Sequence, residues 1–103
     1  MRRVVFQQFP TDPLMTDAVK LGAAIRAARA QAGMTLVDAA LSLGVAKQTL
    51  ADLETAKGSV GLATALRVAR ELGVAVFAVP AADREPVRRA IQEVWKTRPA
   101  ENS

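Results

Sequence analysis

Apolar residues recur at helical spacing through most of the chain, and glycines separate the resulting segments. The spacing predicts a helix over residues 16–31 that ends at Gly33, and a later helix over residues 62–72 that ends at Gly73. Glycine is a common helix stop because it adopts positive φ without steric cost. The positions expected to face the core are Leu21, Ile25, Ala28 and Ala32 in the first helix and Leu62, Ala65, Leu66, Ala69 and Leu72 in the later one.

Between these two helices, residues 34–58 read MTLVDAALSLGVAKQTLADLETAKG and predict two short helices joined by a tight turn. Thr35 stands at the N-cap of the first short helix, and Gly44 supplies the turn. Leu50 and Leu53 give the second short helix its buried stripe. This is the outline of a helix-turn-helix, in which the second helix lies in the DNA major groove while the first crosses the backbone.

The order of residues from Leu21 to Val74 resembles the Cro/cI-type helix-turn-helix repressors, also called the XRE family. The resemblance covers about half of the chain. It implies a mainly α, lambda-repressor-like bundle of four to five helices that binds DNA. The residues that carry it are Ile25, Arg29, Gly33, Thr35, Ala40, Leu43, Gly44, Val45, Thr49, Leu50, Glu54, Lys57, Gly58, Leu62, Leu66, Ala69, Leu72 and Gly73.

Departures from the family pattern fall in and around the two short helices. Leu36 stands where the family usually has a glutamine that braces against a phosphate, and Ala46 replaces the usual serine or threonine cap. Losing such a cap costs about 1 kcal/mol. Val37 and Leu41 are apolar where polar residues are usual, so they are either tolerated surface residues or are covered by a partner.

The outer face of the second short helix carries the residues expected to read base edges. Lys47, Gln48 and Asp52 project from its first two turns. Lys47 suits guanine, Gln48 suits adenine, and Asp52 either accepts a hydrogen bond from cytosine N4 or orients a basic neighbour. Sequence specificity is therefore expected to reside in these three side chains.

Other polar residues are expected to hold the DNA backbone or to support the reading helix. Thr49, Lys57 and the backbone N–H groups around Thr35 are predicted phosphate contacts, which fix register without reading sequence. The resemblance implies a different role for Arg29 and Glu54, a structural ion pair that ties the opening helix to the reading helix.

After Gly73 the chain continues VAVFAVP, a β-branched run that predicts a strand over residues 74–79. A lone strand leaves backbone groups unpaired, so it needs a partner from residues 3–9 or from a second copy. The ending resembles the HipB-like antitoxins, whose C-terminal strands pair between protomers. The alternative is a further buried segment that packs on its own core. Dimerisation is expected through Val74, Val76, Phe77 and Val79.

The predicted organisation has four parts. Residues 1–15 form an N-terminal arm with a short strand, and residues 16–73 form the helix-turn-helix DNA-binding domain. Residues 74–80 are the dimerisation strand, and residues 81–103 are a C-terminal amphipathic helix or a flexible tail. Trp95, the only tryptophan, either anchors a toxin or packs against its own domain.

Charge and composition agree with a small DNA-binding domain. The chain has 103 residues, enough for one domain with its own core. Its pI is near 10.4 and its net charge is +4, which favours polyanionic partners. Residues 20–73 contain seven Lys or Arg and four Asp or Glu, so part of the excess lies in the proposed reader region.

Missing residue types and segments narrow the chemistry further. The sequence has no Cys and no His, which excludes a thiolate nucleophile, an imidazole base, a zinc finger and a disulfide. It also has no Gly-rich phosphate loop. Together, these missing residues and motifs lead us to expect neither a cofactor, nor a metal, nor an enzymatic activity. Because no signal-peptide core or membrane span is evident, a cytoplasmic, nucleoid-associated protein is expected.

Three functions fit these observations. The first is an autorepressing antitoxin of a HipB-like toxin–antitoxin module, a homodimer that binds a palindromic operator and a HipA-like toxin kinase. The second is a stand-alone phage-type or metabolic repressor without a toxin. The third is a helix-turn-helix scaffold used only for protein contacts, which the departures at Leu36 and Ala46 would favour.

Overall fold

Five α-helices and one 3₁₀ turn account for the regular structure in residues 9–97, the part of the chain that the computed structural model describes. The helices are α1 (Ala18–Gln31), α2 (Leu36–Leu43), α3 (Lys47–Thr55), α4 (Leu62–Glu71) and α5 (Arg84–Thr97), and the 3₁₀ turn is Ala81–Asp83. Two compact units contain them: residues 9–10 and 15–76 hold α1 to α4, and residues 11–14 and 77–97 hold the 3₁₀ turn and α5. The mainly helical fold predicted from the sequence is confirmed.

Side-chain caps and a glycine set the ends of the first helices. Helix α1 begins two residues later than predicted, because the Asp17 carboxylate accepts a hydrogen bond from the Lys20 N–H at 2.9 Å. The Thr35 hydroxyl accepts from the Asp38 N–H at 3.0 Å and starts α2. Gly44 ends α2 with φ of 71°, in the left-handed region that the predicted turn requires.

The core of the first unit is built from small and branched apolar residues. Ile25 of α1, Leu50 of α3 and Val68 of α4 are fully buried. Leu62 and Leu66, which the spacing placed on the inward face of α4, are exposed instead. Helix α4 therefore buries a stripe of Ala65, Val68 and Ala69, which differs from the predicted face by including Val68. The other buried members of the core are Ala24, Ala39, Ala40, Leu43, Leu53, Ala65, Ala69 and Val74.

Helix α1 packs very closely on the end of α3 at Gly22. A methyl group at this position would lie 2.5 Å from the Leu53 carbonyl oxygen and 2.7 Å from the Glu54 carbonyl oxygen. Those distances are too short for any side chain, and the obstacle is backbone that cannot rotate away. Glycine is thus required in the middle of α1, although it lowers helix propensity.

Two turns further along α1, Arg29 makes a second connection to α3. Its Nε donates to Glu54 Oε2 at 2.6 Å and its Nη2 donates to Glu54 Oε1 at 2.9 Å, a bidentate pair. Its Nη1 donates to the Met34 carbonyl oxygen at 2.9 Å. The hydrogen bond with Glu54 raises the pKa of Arg29 above its ordinary value, burial opposes that increase, and the attraction of the carboxylate adds to it. The arginine therefore stays charged.

The C-terminal strand predicted over residues 74–79 is absent. Residues 74–80 have no regular secondary structure, and none of residues 9–97 is assigned to a strand. The Val74 N–H donates to the Ala69 carbonyl oxygen at 2.8 Å, and its side chain lies in the core, so this residue completes α4 instead of opening a ladder. The N-terminal strand predicted over residues 3–9 lies outside the described residues except for Phe9.

The second unit consists of α5 and the segment that packs on it. Arg88 Nε lies 3.3 Å from Asp12 Oδ1, and Arg88 Nη1 lies 2.9 Å from Glu85 Oε2. Gln92 donates to the Thr11 carbonyl oxygen at 3.0 Å. Helix α5 itself has no buried residue. Within residues 9–97, no helix has the length and apolar character that crossing a membrane requires.

The close contact at Gly22 gives the first testable prediction. In an exposed helix interior, replacing Gly by Ala raises stability by about 1 kcal/mol. Here Gly22→Ala is expected to lower the free energy of unfolding by about 1–3 kcal/mol, because the methyl group overlaps the α3 backbone. Urea unfolding followed by circular dichroism measures the sign. A stabilised variant would contradict the close contact.

The Arg29–Glu54 pair gives a second prediction with a matched control. Glu54→Gln removes the charge that faces a guanidinium whose side chain is only 15% exposed, so it should cost about 3 kcal/mol. Glu71→Gln breaks the exposed Arg67–Glu71 pair of α4 and should cost about 0.5 kcal/mol. If both variants lose the same free energy of unfolding in urea, the Arg29–Glu54 pair is not a structural connection.

Candidate nucleic-acid interface

Helix α3 has one face in the core and the opposite face in solvent. Leu50, Leu53 and Glu54 are buried, and the Glu54 carboxylate is paired with Arg29. The outer face presents polar side chains from the first turn onward. Lys47 and Gln48 are exposed there. Two of the three side chains that the sequence predicts at base edges are therefore exposed on a helix whose other face is held in the core, while Asp52 is half-buried.

Two of the three predicted base-reading residues contact each other. Gln48 Nε2 donates to Asp52 Oδ1 at 2.9 Å, one helical turn apart. The sequence predicts that Asp52 either reads a base or orients a basic neighbour; in the structure, the side chain that it contacts is the neutral amide of Gln48. Lys47, the first residue of α3, is exposed.

The predicted phosphate contacts lie at the ends of α2 and α3. Thr35 is exposed and caps α2, whose first N–H groups point out of the N-terminal end. Thr49 is half-buried. Lys57 is exposed just after α3, and its N–H donates to the Asp52 carbonyl oxygen at 2.9 Å.

The ends of α3 depart from the usual capping chemistry. Ala46 provides no side-chain hydrogen bond at the N-terminus, as its sequence indicated. Ala56 ends the helix with φ of 57°, a left-handed conformation that alanine adopts at a steric cost. This ending could not be predicted from the sequence, because a glycine is the usual residue there.

Arg67 of α4 is a supporting residue that sequence analysis missed. Its Nη1 donates to the Leu43 carbonyl oxygen at 2.9 Å, at the last residue of α2, and lies 3.3 Å from Glu71 Oε2. The carbonyl groups of a helix's last turn have no partner within the helix, so this bond satisfies one of them. Arg67 thereby connects α4 to the turn that precedes α3. No local spacing rule identifies such a long-range partner.

The predicted dimerisation residues differ in their surroundings. Val74 is buried in the core of the first unit, and Val79 is half-buried. Val76 and Phe77 are exposed, Phe77 to 65%. Trp95, the predicted toxin contact, is half-buried on α5.

An open apolar groove lies next to the end of the reading helix within the first unit. Its volume is about 530 Å³. Asp52 and Lys57 line the groove, so its walls include two of the predicted DNA-contacting residues. Its apolar lining comes mainly from Met15, Leu21, Leu53, Val60, Leu62, Leu66 and Val76.

Comparison with protein families matches residues 25–77 to the family described as Helix-turn-helix. The matched segment is just over half of the chain and contains α2, α3, α4 and the second half of α1. Comparison with curated proteins found no match. The family match agrees with the geometry of a turn at Gly44 and an outward-facing second helix. The chain belongs to the helix-turn-helix family of the XRE type, the DNA-binding transcription regulators.

Proposed function

We propose that this chain is a sequence-specific repressor that binds a palindromic operator as a symmetric homodimer. The observation that carries the proposal is the outer face of α3, where Lys47 and Gln48 are exposed while the opposite face is fixed in the core. A helix presented in this way enters the major groove with its N-terminal residues against base edges. Repression then follows because the bound dimer occludes a promoter.

The roles of the side chains follow from the chemistry of DNA. Lys47 donates to guanine O6 and N7, and Gln48 pairs with adenine. Lys57, Thr49 and the first N–H groups of α2 at Thr35 contact phosphates. The start of α3 adds to the attraction of DNA, because the positive end of its dipole and the positively charged residue Lys47 lie in the same first turn. The binding constant should fall steeply with salt concentration, since phosphate contacts release counterions.

The homodimer is proposed to form through the segment after α4. Val76 and Phe77 are large apolar residues exposed to solvent, and contact with a second copy would bury them. Val74 belongs to its own core, so Val76, Phe77 and Val79 remain as the contact residues. To bind the two halves of a palindromic operator, the dimer must present its reading helices about 34 Å apart, or a multiple of that distance.

The finer proposal is a HipB-like antitoxin that also binds a HipA-like toxin kinase in the cytoplasm, at the nucleoid. It is supported by the resemblance of the sequence that follows Gly73 and by α5, an amphipathic helix without a buried residue that carries Trp95. Co-purification of a kinase-like protein encoded next to this chain would support the antitoxin. If the chain purified from its native host binds its operator and carries no protein partner, it is a stand-alone repressor.

One observation favours a second function, a scaffold for protein contacts. Val37 and Leu41 lie one turn apart on α2 and are 47% and 77% exposed. An apolar pair on the helix that should cross the DNA backbone suits a protein partner better than a phosphate. If the chain binds no DNA duplex at low ionic strength, that result would favour this alternative.

The DNA-reading role is tested by the double variant Lys47→Ala/Gln48→Ala. We expect it to lose selectivity for the operator over a scrambled duplex in fluorescence anisotropy, by about 100-fold if each contact provides roughly 1–3 kcal/mol. Its thermal unfolding should not change, because both side chains are exposed. The control Gln92→Ala/Lys96→Ala removes the same side-chain types from α5 and should keep full selectivity. Selectivity that survives in the α3 variant would contradict the proposed reading helix.

The dimer contact is tested by Phe77→Asp. Placing a carboxylate in an apolar contact should convert the dimer to a monomer at micromolar concentration in sedimentation equilibrium and weaken binding to the full operator. Leu41→Asp places the same charge on an apolar residue that is 77% exposed on α2, and it should leave the association state unchanged. A Phe77→Asp chain that remains dimeric would place the interface elsewhere.

A further inference from the structure

Gln48 and Asp52 form a hydrogen bond on the surface of the reading helix in the absence of DNA. The Gln48 amide nitrogen donates to Asp52 Oδ1 at 2.9 Å. Residues four apart on a helix lie on the same face, so the bond needs no distortion of α3. The side chain expected to read adenine is thus already held in one orientation.

The chemistry of the pair decides which way the amide faces. A glutamine amide has an oxygen that only accepts and a nitrogen that donates two hydrogens, and it can turn either end towards a base. A carboxylate only accepts hydrogen bonds. The amide nitrogen must therefore face Asp52, which leaves the Gln48 oxygen and one remaining N–H for the DNA.

Asp52 lies next to the loop that follows α3. Its side chain is half-buried, and a Cβ atom at Gly58 would lie 3.4 Å from Asp52 Oδ2. Gly58 has φ of 64°, so the loop after α3 turns back against the carboxylate at a residue without a side chain. The Lys57 N–H fixes the same loop to the Asp52 carbonyl oxygen at 2.9 Å. The carboxylate therefore lies between the amide that it orients and the backbone of the loop.

We infer that Asp52 is a positioning residue that restricts Gln48 to adenine, an inference that depends on the proposed DNA-reading function. Adenine presents one donor, N6–H, and one acceptor, N7, in the major groove. The Gln48 oxygen and its remaining N–H match that pattern. Guanine presents two acceptors, O6 and N7, and would need both N–H groups of the amide, one of which Asp52 occupies. Asp52 does not itself read cytosine in this arrangement.

The test starts from the wild-type operator, obtained by selection from randomised duplexes. The base pair read by Gln48 is the one whose preference is lost in Gln48→Ala. That adenine is then replaced by guanine, by purine, which lacks the 6-amino group, or by 7-deazaadenine, which lacks N7. In fluorescence anisotropy, each replacement should weaken wild-type binding about tenfold.

The Asp52 variants separate positioning from direct reading. Asp52→Ala should reduce the adenine-over-guanine preference at this position to about twofold or less, with other positions unchanged. Asp52→Asn should also weaken the preference, because its amide can either accept a hydrogen bond from Gln48 or donate one to it, and so no longer forces one orientation of the glutamine. Asp83→Ala, which removes a carboxylate from the second unit, should behave as wild type. A preference that survives Asp52→Ala would overturn the inference.

A double variant completes the test. In a Gln48→Ala background, adding Asp52→Ala should not alter any base preference, because Asp52 acts only through the amide. A further change, above all at a cytosine, would overturn the inference and assign direct reading to Asp52. These outcomes differ from a failure of the proposed function, in which the wild-type chain shows no preference among duplexes at all.

Discussion

The contact between α1 and the end of α3 is the constraint on which the reading surface depends. Gly22 lets the two backbones approach so closely that a methyl group would lie 2.5 Å from the Leu53 carbonyl oxygen. Two turns away, Arg29 holds both oxygens of Glu54 at 2.6 and 2.9 Å. A helix of nine residues is too short to be stable alone in water, so α3 takes its position from these contacts and from the core.

The contacts that hold the buried face of α3 also affect how its exposed face recognises DNA. The backbone of α3 does not need to be ordered when DNA binds, because the helix is already in place, and the Gln48 side chain is already bonded to Asp52. Arg67 adds a connection from α4 to the last carbonyl of α2, which supports the turn between the two short helices. Preorganisation of this kind lowers the entropic cost of binding.

The sequence predicted those features that depend on neighbouring residues. The caps at Thr35 and Gly44 are local, so the turn and the start of α2 followed from the pattern. Gly22 and Arg67 contact residues that are far away in the sequence, so the local spacing of residues could not predict these contacts. The predicted strand was wrong for a related reason. A strand requires a partner, and Val74 completes the end of α4 instead. The apolar spacing of α4 also could not show that Leu62 lies outside the core.

The most direct test of the central claim is a nuclear magnetic resonance titration of the isotope-labelled chain with its selected operator. If α3 is fixed by α1 and reads DNA with its outer face, the largest amide shifts will fall on residues 47–52 and on the first turn of α2, and the resonances of Gly22 and Arg29 will stay almost unchanged. Shifts confined to α5, with residues 47–52 unaffected, would contradict the account.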